Sequence, residues 1–334
     1  MRSAPLLLLL AAHAAGFGSN MEYWEPVSVP YHGRRKIKGL AKGWDGADAI
    51  IVLQEWWGLT EQVKEFGDRM FHTGFRVFIP DLYRGKLGAS VEEAHHLMAG
   101  LDFPAAVDEI NATAAFLKKT GSPRVGVLGF CMGGALALGA LAKSDFLACG
   151  TSFYGVNRGL FEAAELRSKP VEAHFGRDDR MEGFSDAATG RRLLGDLRAA
   201  GNNKAVVHLY ENLGHAFMND SPAPFASFEA RKEAMGFPPY DEEQAEEAWE
   251  RVQGFFELHL RNKPAKGEPG SRQEPPPPEV KKKPPRNEED EEEEEDDEPP
   301  PPPPLPGKWP QKDPFKEGEI WREEIESRTI KDEM

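Results

Sequence analysis

The sequence predicts an α/β fold, a mostly parallel central sheet with helices on both faces. Three observations carry this. Short runs of β-branched and other apolar residues recur through the middle of the chain. Longer amphipathic stretches separate them. No repeat or second break in composition interrupts residues 21–262, which read as one domain.

Taken in order, buried strands are expected at 49–53, 75–79, 124–128, 147–153, 171–175 and 205–210. Amphipathic helices are expected near 60–73, 104–119, 132–143, 185–200 and 242–260. Strands of five to seven residues alternating with helices of this length need crossover connections, which leave both faces of a parallel sheet covered.

The two ends have a different character. Residues 1–20 hold one arginine, the apolar run Leu6–Leu10 and small residues at Ala12 and Ala14, the pattern of a secretory signal peptide. The alternative is an unused upstream start, with Met21 as initiator. The run is too short to span a bilayer. Residues 263–310 carry two proline runs (275–278 and 299–304), three lysines at 281–283 and eleven consecutive acids at 288–298. Such a segment has little to bury and reads as an extended linker or protein-interaction tail. Residues 311–334 form a C-terminal tail, and Trp309, Trp321 and Ile325 near the end mark a short docking helix. The chain closes on Lys331-Asp332-Glu333-Met334, one residue from an endoplasmic reticulum retrieval signal. Joined to the leader, this points to the secretory pathway and the lumen of the reticulum, with secretion, a plastid or the cytoplasm as alternatives. Asn111-Ala112-Thr113 is a glycosylation sequon that lumenal passage would expose.

The net charge of −15 is mostly local, because the acidic run supplies eleven of those charges. The remainder is only mildly acidic, so no basic face for nucleic acid is expected. Two cysteines, Cys131 and Cys149, cannot build a disulfide framework, and no metal-binding spacing is present. No cofactor, metal or membrane span is expected, and the protein is expected to be monomeric.

Chemistry concentrates at Gly129-Phe130-Cys131-Met132-Gly133, where a strand meets a helix. This is the glycine-x-nucleophile-x-glycine pattern of a nucleophile elbow, a turn too tight for side chains two residues either side. The nucleophile stands at the N-terminus of the next helix, whose dipole favours a thiolate. Downstream, the strand ending at Phe175 runs into Gly176-Arg177-Asp178-Asp179, and the strand ending at Tyr210 leads to Gly214-His215. Nucleophile, acid and histidine thus follow in chain order, each just past a strand's C-terminal end, where open α/β sheets place their sites. His215 would hold the thiolate and move a proton, and Asp178 or Asp179 would fix its tautomer.

These stretches, with "LQEWWG" at 53–58, "PDLYRG" at 80–85, "FYGV" at 153–156, "HFGRDD" at 174–179 and "GHAF" at 214–217, resemble the dienelactone hydrolase family, cysteine esterases of the α/β-hydrolase fold. The resemblance implies Cys131 as nucleophile, His215 as base and Asp179, ahead of Asp178, as acid. It implies that Glu55 contacts the resting thiol and helps to deprotonate it, and that the amides of Trp56 and Met132 form the oxyanion hole. Arg84 matches an arginine that binds a substrate carboxylate, and Tyr154 an aromatic position near the pocket. One departure stands out: Asn219 occupies the place of a second carboxylate-binding arginine. Loss of such a contact, worth about 1.5–3 kcal/mol, would weaken small dicarboxylate-like lactones. The pair Trp56-Trp57 implies a bulkier, more apolar pocket. The function expected is cleavage of a small-molecule ester or lactone through a thioester. The alternatives are a non-catalytic module of the same fold that recruits partners through its tail, and a redox-sensing thiol.

Overall fold

The computed structural model describes residues 21–261. The leader, the proline-rich and acidic linker and the C-terminal tail with its last four residues lie outside the described residues. The elements run β1 (Met21–Tyr31), β2 (Arg35–Gly43), β3 (Ala49–Leu53), α1 (Glu61–His72), β4 (Arg76–Pro80), α2 (Val91–Ala99), α3 (Phe103–Lys119), β5 (Val125–Phe130), α4 (Met132–Lys143), β6 (Leu147–Phe153), a 3-10 turn (Ala163–Leu166), β7 (Val171–Gly176), α5 (Ala187–Ala199), β8 (Val206–Tyr210), α6 (Phe228–Met235) and α7 (Glu242–Arg261). All eight strands join one sheet in the order β1-β2-β4-β3-β5-β6-β7-β8. The first two pairings, β1 with β2 and β2 with β4, are antiparallel, and the rest are parallel.

β3, β4, β5 and β7 are buried at every position, which is why they read as unbroken apolar runs. One face of the sheet packs on α3, α4 and α5 through Ile110, Leu117, Leu136, Leu141, Leu193 and Leu197. The other packs on α1 and α7 through Phe66, Met70, Trp249, Val252 and Phe256. α4 is apolar all round because it lies buried from Met132 to Leu141. Among the described residues no helix is long and apolar enough to cross a membrane.

Four elements were not expected. β1 and β2 form a hairpin at the sheet's edge. β2 buries alternate residues (Ile37, Gly39, Ala41 and Gly43), so it shows a period of two rather than an apolar run. β1 carries Pro26 and Pro30, which an edge strand tolerates. α2 and α6 each open on a serine that caps the helix, Ser90 accepting from the Glu93 amide and Ser227 from the Ala230 amide. Ser90-Val91-Glu92-Glu93 was the readable sign of α2, since the Glu93 carboxylate also accepts from the Ala89 amide.

β7 and β8 bring together a buried polar group distinct from the elbow. Glu172 Oε2 lies 3.3 Å from His174 Nε2, and its Oε1 lies 3.2 Å from His208 Nε2. His174 Nδ1 lies 2.9 Å from the hydroxyl of Tyr210, over whose ring the Arg251 guanidinium packs. Burial pushes His174 down to about 4. Burial alone would raise Glu172, but His174 and His208 outweigh it and hold the carboxyl at about 2. His174 binds fewer protons folded than unfolded between about pH 4 and 6.5, and Glu172 does so between about pH 2 and 4.5, so stability falls as pH drops, through His174 first. The urea midpoint is expected to be lower at about pH 5 than at about pH 7, and the gap to narrow in His174→Gln. An unchanged gap would remove His174 from the effect.

Candidate active site

Each site residue arrives just past the C-terminal end of a parallel strand: Glu55 and Trp56 after β3, Cys131 after β5, Tyr154 after β6, Asp179 after β7 and His215 after β8. Leu53 pairs with Gly129 in register, so the chain leaving β3 emerges beside the turn that carries Cys131. Cys131 sits at φ 53° and ψ −118°, a left-handed backbone that costs about 1–3 kcal/mol for a residue with a Cβ. The flanking glycines make the turn feasible. A Cβ on Gly129 would lie 2.0 Å from the Gly133 carbonyl oxygen, and one on Gly133 would lie 2.5 Å from that of Gln54. The turn leaves the thiol at the start of α4, 7% exposed.

Cys131 Sγ lies 3.1 Å from His215 Nε2, and His215 Nδ1 lies 2.9 Å from Asp179 Oδ2. The second carboxylate oxygen of Asp179 accepts from the Met181 amide at 3.0 Å, which fixes the carboxylate plane. Its neighbour Asp178 is exposed and instead ties the β7 loop to the β8 loop, its amide donating to the Leu213 carbonyl. The geometry therefore separates the aspartate doublet that the sequence left open. Burial disfavours a charged imidazole, yet Cys131 and Asp179 together hold His215 well above its ordinary range. The imidazole ring packs against Tyr154 and Phe237, each with its centroid 5.0 Å away.

Glu55 is brought to the site but not to the thiol. Its Oε2 accepts from the Asn219 amide at 2.9 Å, and burial pushes its carboxyl up. The expected resting contact between glutamate and thiol is thus replaced, because Asn219 holds the carboxylate while the thiol faces the imidazole. Tyr154 is fully buried, and burial raises its hydroxyl in turn. Met132 opens α4, so its amide has no partner within the helix. The Trp56 amide takes no carbonyl among the described residues. Both donors remain for a ligand oxygen.

Two expectations on the pocket meet a different arrangement. The structure does not bring Arg84 to the thiol. Its guanidinium is half exposed, pairs with Glu109 of α3 and donates to the Asp81 carbonyl. Trp56 and Trp57 pack with Met235, Phe225 and Phe237 in an apolar cluster. Cys149, fully buried on β6, is pushed up by burial and is a poor thiolate.

Residues unforeseen in the sequence complete the shell. Ser185, fully buried, places its hydroxyl 3.0 Å from His215 Nδ1. Arg231, only 3% exposed, reaches in from α6. Neither position belongs to a local motif, since each reaches the site through a loop or helix of its own.

The sequence model of the Dienelactone hydrolase family matches residues 37–260. The chain belongs to this family. It is thereby a hydrolase, with the α/β-hydrolase fold. Among similar proteins is Protein usf of Aquifex pyrophilus, 28% identical over 228 residues, which cover 64% of this chain and 90% of that protein. Another is the carboxymethylenebutenolidase of Pseudomonas putida, 27% identical over 194 residues, 54% of this chain and 79% of the relative. The fold is similar to that of P91, a dienelactone hydrolase-like promiscuous phosphotriesterase from metagenomic libraries. That likeness has a TM-score of 0.57 at 20% identity and covers 72% of this chain and all of P91.

The division between the two aspartates predicts unequal mutants. Asp179→Asn is expected to lower kcat for ester hydrolysis by up to about 10⁴-fold, as in other triads. Asp178→Asn is expected to cost far less. Equal small losses in steady-state assays would take the aspartate out of the chemistry.

Proposed function

We propose that the protein cleaves a carboxylic ester or lactone through a thioester acyl-enzyme on Cys131. The observation that carries this reading is the 3.1 Å approach of Cys131 Sγ to His215 Nε2, with Asp179 on the far nitrogen of the ring. An imidazole held well above its ordinary range beside a thiol is placed to take the thiol's proton.

The thiolate attacks the carbonyl carbon, forming the C–S bond and moving the carbonyl electrons onto oxygen. The amides of Trp56 and Met132 are the donors for that oxyanion. Collapse of the tetrahedral species breaks the C–O bond, and the imidazolium gives its proton to the leaving alkoxide. A lactone opens in the same step and keeps its alcohol on the acyl chain. Neutral His215 then takes a proton from water, whose oxygen attacks the thioester and releases the acid and the thiolate. Asp179 holds the ring in the tautomer that presents Nε2 to sulfur. Glu55, which burial makes readier to hold a proton than an exposed glutamate, is held by Asn219 as a second proton carrier of the site.

A panel of 4-nitrophenyl esters and simple lactones tests the reading. Cys131→Ala is expected to abolish hydrolysis and Cys149→Ala to keep most of it, and a thiol-alkylating reagent should silence the wild type. Activity that survives in Cys131→Ala would overturn the mechanism.

A further inference from the structure

The chain between β7 and α5 is a tightly hydrogen-bonded turn. Asp179 accepts from the Met181 amide at 3.0 Å. The Met181 carbonyl in turn accepts from the amides of Phe184, Ser185 and Asp186 at 3.1, 3.0 and 3.2 Å. Asp186 caps α5 by accepting from the amides of Ala188 and Thr189. The Phe184 carbonyl takes the Val156 amide from the loop after β6. Ser185 sits fully buried in this turn, fixed by its neighbours on both sides.

The Ser185 amide is satisfied within the turn, which leaves the hydroxyl to be accounted for separately. A serine in a turn ordinarily returns its hydroxyl to backbone close by in the chain. Here it lies instead 3.0 Å from His215 Nδ1, across 30 residues, and has no other hydrogen-bond partner among the described residues. Alanine would keep the amide's bond to Met181 and leave nothing beside the ring.

His215 Nδ1 thus has two oxygens in reach, the Asp179 carboxylate at 2.9 Å and the Ser185 hydroxyl at 3.0 Å. One ring nitrogen carries at most one hydrogen, so the two oxygens share it in a three-centre bond. Asp179 decides the sense of that bond. Were the serine to donate, Nδ1 would be bare, and its lone pair would face the carboxylate. With the hydrogen on Nδ1 both oxygens accept, and Nε2 is presented to Cys131 Sγ at 3.1 Å. An acceptor at Nδ1 favours the charged ring over the neutral one, because the charged N–H is the stronger donor.

We infer that Ser185 is a positioning residue of the active site, its hydroxyl accepting from His215 Nδ1–H beside Asp179 and steadying the imidazolium that forms when the ring takes the thiol's proton. The inference rests on the reading of His215 as the base of Cys131, and it names a further group that tunes that base. Ser185 acts through the ring, on the side away from sulfur. The other titratable groups reach His215 from separate elements. Cys131 comes from the turn before α4, and Asp179 from the end of β7. Tyr154, after β6, packs on the ring, and Glu55, after β3, acts on it through space. Arg231 of α6 bears on Glu55 and Tyr154 in turn. Substituting Ser185 leaves these neighbours in place, so a change in the titration of the ring belongs to the hydroxyl.

The test reads the ring directly. The full chain, carrying 15N in its histidine rings, is titrated by NMR as wild type and as Ser185→Ala, and the His215 signals are assigned by their loss in His215→Gln. Removing the acceptor is expected to lower the pH at which His215 gives up its charge by about half a unit, a roughly threefold drop in proton affinity. The neutral ring is expected to keep its hydrogen on Nδ1, where Asp179 still holds it. An unchanged titration in Ser185→Ala overturns the inference, as does an upward shift, which would mean that the hydroxyl donates. Should circular dichroism show that Ser185→Ala does not fold, Ser185→Cys decides in the same way, since a thiol is a weak acceptor. The titration reads the charge of the ring and not turnover. A wild type that cleaves no ester therefore defeats the hydrolase mechanism, while the shift in Ser185→Ala still decides the role of Ser185.

Discussion

The approach of Cys131 to His215 joins two loops that lie 84 residues apart in the chain, and most of the domain's architecture is arranged to hold it. One side is fixed by backbone strain: a left-handed cysteine between glycines that let the β5 turn fold back on itself and on the β3 loop. The other side is fixed by packing. The imidazole is wedged between Tyr154 and Phe237 and anchored at its far nitrogen by Asp179 and Ser185. Strain of this kind persists only where surrounding structure over-determines it. The stacked rings of Phe66, Phe130, Phe153 and His174 beneath the elbow, buried at the centre of the sheet, supply that support.

Parallel strands in the middle of the sheet were legible because burial on both faces makes them apolar at every position, as in Ala49–Leu53 and Val171–Gly176. The edge hairpin was not, because β2 alternates and β1 carries prolines that only an unpaired edge permits. The same division runs through the site. Cys131, Asp179 and His215 announce themselves because strand-end geometry ties each to a local pattern of glycines. Ser185 and Arg231 do not, since their approach depends on how the β7–α5 loop and α6 fold back over the sheet, which no spacing in the sequence encodes.

One informative position is 219, where the resemblance implied a second arginine and the chain carries asparagine. Asparagine at 219 is smaller than arginine and uncharged, and it can still donate to Glu55, so the glutamate remains positioned while a cation is removed from that wall. The charge reappears on a different element, α6, whose apolar residues also close over Trp56 and Trp57. Polarity and coverage thus travel together on one helix, which carries the buried Arg231 and packs its Met235 with Trp56 and Trp57. Burial strengthens the electrostatic contact between His215 and the thiol.

If Cys131 carries the acyl group during turnover, the thioester can be trapped and weighed. Wild-type protein mixed with an excess of 4-nitrophenyl butyrate and quenched in acid after a few turnovers preserves thioesters for mass spectrometry. A mass increase of one butyryl group is expected on the peptide containing Cys131. A His215→Gln variant, which lacks the group that takes the thiol's proton and activates water, is expected to form the adduct and release it more slowly. Hydrolysis in the wild type with the acyl group on another residue, or with no adduct in either protein, would contradict the thioester mechanism.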